Sequence, residues 1–153
     1  MVPWLYTADS ELLPKDDFIR QWQISKQFTL DAMRDFLQRH ARLPIKGTLL
    51  LQSGFPGVGN WMADEILWQA RINPKRPTGR VTPELLEQLW RKTRMVCHVA
   101  VRSIVEADCE PPARWLFHER WSASGKCPRD GTELKRDTVA GRTSAWCPKC
   151  QGT

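Results

Sequence analysis

The 153-residue sequence lacks any apolar run near the roughly 18 to 20 residues that a membrane-spanning helix needs, and it lacks a basic N-terminal segment followed by an apolar stretch. Both absences point to a soluble chain that is neither secreted nor held in a membrane. An even cysteine set is missing too: the five cysteines stand at 97, 109, 127, 147 and 150, three of them in the last 27 residues. An odd, clustered set without an export signal suggests metal ligation over a disulfide framework. Length excludes several large cores and leaves one ordinary domain, or one helical domain with a small metal-stapled appendix. Acidic charge is in deficit, with 17 Asp+Glu against 23 Lys+Arg, a formal charge of +6 and a pI near 9.3. That balance favours polyanionic partners. The excess sits at the C-terminal end, where residues 121–153 carry six basic and three acidic groups. Eight Trp is a high count for this length, and most belong in a core or interface, since a large ring with one N–H donor is costly to expose.

Residues 1–28 hold Pro3, Pro14, Trp4, Tyr6, Phe18 and Trp22 with no sustained period, and read as a docking strap or the remnant of a missing segment. From Thr29 the pattern becomes helical, with Leu30, Met33, Phe36 and Leu37 at helical spacing up to about His40. Pro44 suits the first turn of a second helix carrying Ile45, Leu49 and Gln52, ended by Gly54-Phe55-Pro56-Gly57. Asn60 then caps a third helix with Ala63, Ile66, Leu67 and Ala70 on one face. Thr82-Pro83 starts a long helix whose stripe from Leu85 to Ile104 carries it to about Glu106. Pro111-Pro112 opens a linker with Trp115, Phe117 and Trp121, and short strands are expected at 136–139 and 143–146 around Gly141.

Three features carry chemistry. Cys127-Pro-Arg-Asp130, then 16 residues, then Cys147-Pro-Lys-Cys150 is nearly a four-cysteine zinc ribbon, in which two knuckles bring four ligands to one tetrahedral point. Asp130 stands where Cys is usual. Zinc held by Cys127, Asp130, Cys147 and Cys150, zinc completed by another residue, and no metal at all remain open on spacing alone; Cys97 and Cys109 read as structural. In Gly57-Val58-Gly59-Asn60 the glycines let backbone approach a ligand, and the helix start offers N–H groups to an anion, although the same pattern also makes a plain helix connection. Lys46 is either a second phosphate contact or an ordinary solvated lysine. Arg142, in Gly141-Arg142-Thr143, stands near a hairpin tip, where a guanidinium can hold a phosphate or merely decorate a turn.

Taken together, Leu49-Leu50-Leu51-Gln52, Gly57-Val58-Gly59-Asn60 running on through Trp61 to Leu67, Ile72-Asn73-Pro74, Gly141-Arg142-Thr143 and Cys147-Pro-Lys-Cys150-Gln151 resemble the C-terminal part of the formamidopyrimidine-DNA glycosylase and endonuclease VIII family, over about residues 29–151. The resemblance implies a mainly α fold: a helix-two-turn-helix domain at 29–110, then a linker and a zinc-finger-like β-hairpin at 111–153. It implies a base-excision repair glycosylase and lyase that extrudes a damaged base. The implied partner is damaged or abasic double-stranded DNA, in the cytoplasm beside a bacterial nucleoid or in a nucleus. Asn60 and Arg142 would grip phosphates, with Lys46, Gly57 and Gly59 beside them, and zinc would be the cofactor. Asp64 and Glu65 match the family's helix signature, or serve the helix dipole and local bonds.

Three departures qualify this. The family's nucleophile is an N-terminal proline amine followed by an acidic residue, which Met1-Val2-Pro3-Trp4 does not reproduce. The expectation is that this chain holds no catalytic residue and partners a missing N-terminal catalytic domain, or that it is a stand-alone DNA-binding or scaffold protein. The link from Glu106 to Cys127 leaves little room for a lid over an extruded base. Asp130 leaves full zinc affinity open while keeping the hairpin. An unrelated helix-two-turn-helix protein of the ribosomal or topoisomerase type is disfavoured by the cysteine hairpin.

Overall fold

The computed structural model describes residues 25–152. The expectation of a strap over residues 1–28 therefore lies outside the described residues, except for its end, which docks firmly. Phe28 is buried, its carbonyl accepts the Trp90 indole N–H at 2.9 Å, and the Ser25 carbonyl accepts from Arg94 at 2.8 Å.

Helix α1 (Leu30–Arg39) begins where Thr29 Oγ1 accepts the Ala32 N–H at 3.1 Å, with Asp31 in its first turn and Arg39 in its last, each favourable to the helix dipole. Its buried face is Met33 and Leu37. A short helix α2 (Ile45–Leu49) follows, with Pro44 just ahead of it as cap residue, and all five of its residues are buried. Gln52 lies past its end, not along its side. The backbone of the two-turn loop claims that side chain: Oε1 accepts from Gly57 N at 2.9 Å and Nε2 donates to Val58 O at 3.0 Å. Glycine at 54 leaves room for Phe36, because a Cβ there would stand 2.3 Å from the Phe36 ring, which would have to shift.

Helix α3 (Asn60–Gln69) is the centre of the molecule. Trp61 through Trp68 are buried without interruption, so α3 has no solvent face where its Ala63, Ile66, Leu67 and Ala70 stripe predicts one. Asp64 and Glu65 tolerate that burial because every face of the helix finds a partner. After a 3-10 turn (Thr78–Arg80), helix α4 (Pro83–Ala100) starts with Thr82 Oγ1 accepting from Leu85 N and Pro83 at the first helical position. It buries Leu86, Leu89, Thr93, Val96, Cys97 and Ala100. The helical run does reach Glu106, but Val101–Glu106 are wound as π-helix. There the Ser103 hydroxyl donates to Val99 O at 2.6 Å, a back-bond that competes with the ordinary ladder.

A second 3-10 turn (Leu116–His118) leads to an antiparallel hairpin, β1 (Lys135–Val139) and β2 (Arg142–Trp146), with Lys135 opposite Trp146 and Val139 opposite Arg142. Its two-residue loop puts Ala140 at φ 52° and Gly141 at φ 78°, the left-handed pair that matches strand twist. The main core gathers Met33, Leu49, Phe55, Ile66, Leu89 and Val96; a second cluster gathers Trp68, Leu116, Cys127, Leu134 and Cys147. Both lean on α3, and the mainly α fold with a small hairpin is what the sequence predicts. Among the described residues no helix is long and apolar enough to cross a membrane.

Candidate nucleic-acid interface and metal-ligand cluster

Gly59, in extended conformation, is the cap residue of α3, and Asn60 is its first helical residue. The expected Asn60 side-chain cap is thus corrected. Its amide reaches across the molecule instead, with Nδ2 donating to the Thr143 carbonyl at 3.0 Å, while its buried Oδ1 has no hydrogen-bond partner. Gly57 holds φ 84° and a Cβ at Gly59 would meet nothing within 4 Å, so the backbone ahead of α3 lies open to close approach. Arg142, the residue before Thr143, is exposed at the start of β2. The fold therefore brings Asn60, Gly59 and the Arg142 backbone onto one face.

Lys46 is the clear correction. It has no exposed surface, and its ammonium is spent on Asp64 Oδ1 at 2.8 Å, Ser144 Oγ at 2.9 Å and the Thr143 carbonyl at 3.0 Å. An ammonium so enclosed has no route to a phosphate, and neither expectation for it, surface contact or solvated lysine, holds. Burial draws its pKa down, and Asp64 opposes that shift. Asp64 is the hub: it also accepts from Arg120 Nε at 3.2 Å and Nη2 at 2.8 Å, the Ser144 hydroxyl at 2.8 Å and the Ala145 N–H at 3.1 Å. Glu65 accepts from Phe117 N at 2.8 Å and Gln69 Nε2 at 2.9 Å, and burial pushes its carboxyl up to about 7. Both carboxylates tie α3 to distant chain, a role that helix-dipole reasoning misses.

Arg120 and Ser144 escape sequence reasoning because neither sits in a spaced motif. The available signal was indirect: two adjacent carboxylates in an otherwise apolar helix demand buried donors somewhere else.

At the hairpin base, ligand atoms of Cys127, Asp130, Cys147 and Cys150 all lie within 4.8 Å of one another. Cys127 Sγ and Cys150 Sγ are 3.7 Å apart, close to the ~3.8 Å edge of a tetrahedron with metal–sulfur bonds of ~2.3 Å. Each knuckle closes on itself: Gly131 N donates to Cys127 O at 2.8 Å and Gln151 N to Cys147 O at 3.0 Å. The sulfurs receive N–H donors suited to thiolates, Trp68 Nε1 on Cys127 at 3.4 Å and Cys150 N on Cys147 at 3.3 Å. Arg129 stacks over Trp68 at 3.9 Å. The Thr132 N–H, 2.9 Å from Asp130, holds that carboxyl below the usual range, hence ionised. Three thiols and one carboxylate at this spacing fit a divalent metal. Cys97 is buried in the main core and Cys109 is exposed beyond the π-turn; neither approaches the cluster.

Comparison with known proteins adds identity to this geometry. The family model for the formamidopyrimidine-DNA glycosylase H2TH domain matches residues 22–108. A formamidopyrimidine-DNA glycosylase of Arabidopsis thaliana is 37% identical over 124 residues, 80% of this chain and 31% of that protein. The crystal structure of the MutM (Fpg) protein of Thermus thermophilus superposes with a TM-score of 0.69 at 34% identity, covering 85% of this chain and 52% of that one. A Lactococcus lactis Fpg in complex with DNA containing an abasic site gives 0.71 at 25% identity, covering 86% and 51%. The chain thus spans about a third to a half of the length of these relatives. With more than half of its residues inside the family model, the chain belongs to the formamidopyrimidine-DNA glycosylase H2TH-domain family.

Proposed function

We propose that this chain is a damaged-DNA binding module of base-excision repair, gripping duplex DNA at a damaged or abasic site in the manner of formamidopyrimidine-DNA glycosylases. Asn60 and Arg142 hold the phosphates flanking an extruded nucleotide, and the open backbone at Gly57 and Gly59 admits the strand to the start of α3. The observation that carries this reading is the bond from Asn60 Nδ2 to Thr143 O, which ties a helix start to the carbonyl next to Arg142 across 83 residues of sequence. The formal charge of +6 supplies attraction without sequence preference. In this reading residues 29–110 form the gripping domain and 111–153 the linker and hairpin.

Zinc is the metal proposed for Cys127, Asp130, Cys147 and Cys150, since thiolates select it over harder divalent ions. When bound, it supplies a cross-link and no chemistry, because four protein ligands leave no open position. The hairpin it anchors carries Arg142. The test is direct binding to a duplex containing a tetrahydrofuran abasic analogue, followed by fluorescence anisotropy across a salt series. Affinity falls as salt rises, and Arg142→Ala flattens the log–log slope by about 1. Salt-independent affinity would remove the reading.

A further inference from the structure

We propose that the buried cluster of Lys46, Asp64, Arg120 and Ser144 is a positioning device that sets where Arg142 stands relative to Asn60. This inference rests on the DNA-gripping reading above and names how that grip is built. The cluster draws on four separate parts of the chain: Lys46 on α2, Asp64 on α3, Arg120 in the linker and Ser144 on β2, each 4% exposed or less.

Its side-chain bonds to β2 fall on three consecutive residues, while the Arg120 carbonyl accepts from Arg136 on β1. The Thr143 carbonyl accepts from Lys46 Nζ at 3.0 Å, Asn60 Nδ2 at 3.0 Å and Arg120 Nη2 at 3.5 Å. Ser144 Oγ accepts from Lys46 and donates to Asp64, and the Ala145 N–H donates to Asp64 at 3.1 Å. The residue immediately before this pinned run is Arg142, whose side chain is exposed. On its other side the exposed Ala140 at the hairpin tip passes close to α2, since a Cβ on Gly47 would come within 3.1 Å of Ala140 Cβ. Residues 143–145 are thus held by the cluster, and Arg142 stands directly before them in the same strand.

Charge accounting supports geometry as the purpose. Two cations share one carboxylate in a nearly unexposed site, an arrangement that apolar residues of similar volume often match or exceed in stability. A satisfied polar network does what an apolar patch cannot: it admits one register of hairpin against helix. Lys46 therefore acts on DNA through Arg142, from beneath the surface.

The test is a four-member cycle on the full chain: wild type, Lys46→Met, Arg142→Ala and the double variant, each titrated with the tetrahydrofuran-containing duplex. Lys46→Met should weaken binding about tenfold in the wild-type background and less than about twofold when Arg142 is already alanine, as expected for residues that act in series. Equal losses in both backgrounds would overturn the positioning role, since a separate phosphate contact or a general loss of structure weakens both alike. Ser144→Ala, which deletes a single hydroxyl, runs the same cycle should Lys46→Met fail to melt cooperatively, with the same outcomes counting for and against. Arg142→Ala without effect on affinity would instead sink the contact assignment beneath this proposal, so the two failures are distinguishable.

Discussion

Among the described residues, buried negative charge is concentrated at two neighbouring positions of α3, and each position is satisfied differently. Asp64 is matched by two cations and two further donors; Glu65 is matched by the Phe117 N–H and the Gln69 amide, with Arg129 acting at longer range. Those donors do not offset the cost of burying the Glu65 charge, so its carboxyl stands at about 7 against an ordinary 4.5. Because the folded state then holds a proton that the unfolded state has released, stability declines as pH rises from about 4.5 through about 7. The decline amounts to ~3 kcal/mol in all. Glu65→Gln should flatten that slope, with the Gln69 amide turning to pair with the new one; chemical denaturation at several pH values between 4.5 and 8 measures it, and an unchanged slope contradicts the assignment. The two carboxylates are visible in the sequence, but their partners are not. Lys46 reads as a surface lysine because burial of a lysine is decided by residues 18 and 98 positions away, where no local pattern reaches.

At the scale of elements, caps and periodicity are local and therefore legible: Thr29, Thr82 and Pro83 start α1 and α4 where expected, and the turn at Ala140-Gly141 closes the expected hairpin with strands one residue longer. The end of α2 is not legible, because Gln52 leaves the helix to buckle the two-turn loop, a role visible only once Gly57 and Val58 fold beside it. That loop is sterically tight, and Gly54→Ala should cost about 1–3 kcal/mol by driving a methyl into Phe36. Thermal melting checks it, and an unshifted transition would show that Phe36 yields freely. The hairpin base makes a separate prediction. Purified chain should carry one zinc, a chelator should lower its melting temperature, and Asp130→Cys should raise zinc affinity by completing a four-thiolate set. Metal analysis that finds no zinc in either form would contradict the zinc assignment.

Seen whole, the described molecule is two hydrophobic clusters sharing one helix buried from Trp61 to Trp68, with the proposed DNA grip built where that helix meets the hairpin. The order of elements and the ligand cluster could be read in advance, since each rests on spacing. The polar seam between α3 and β2 could not, because Arg120 lies in an aperiodic linker and its partner lies 56 residues away. The central claim is that Asn60 and Arg142 form one grip on damaged duplex. The most direct measurement is the affinity of wild type, Asn60→Ala and Arg142→Ala for the abasic-analogue duplex at fixed salt. The account predicts about tenfold or greater weakening for each substitution, the worth of a charge-assisted phosphate contact. Unchanged affinity in both variants would contradict it.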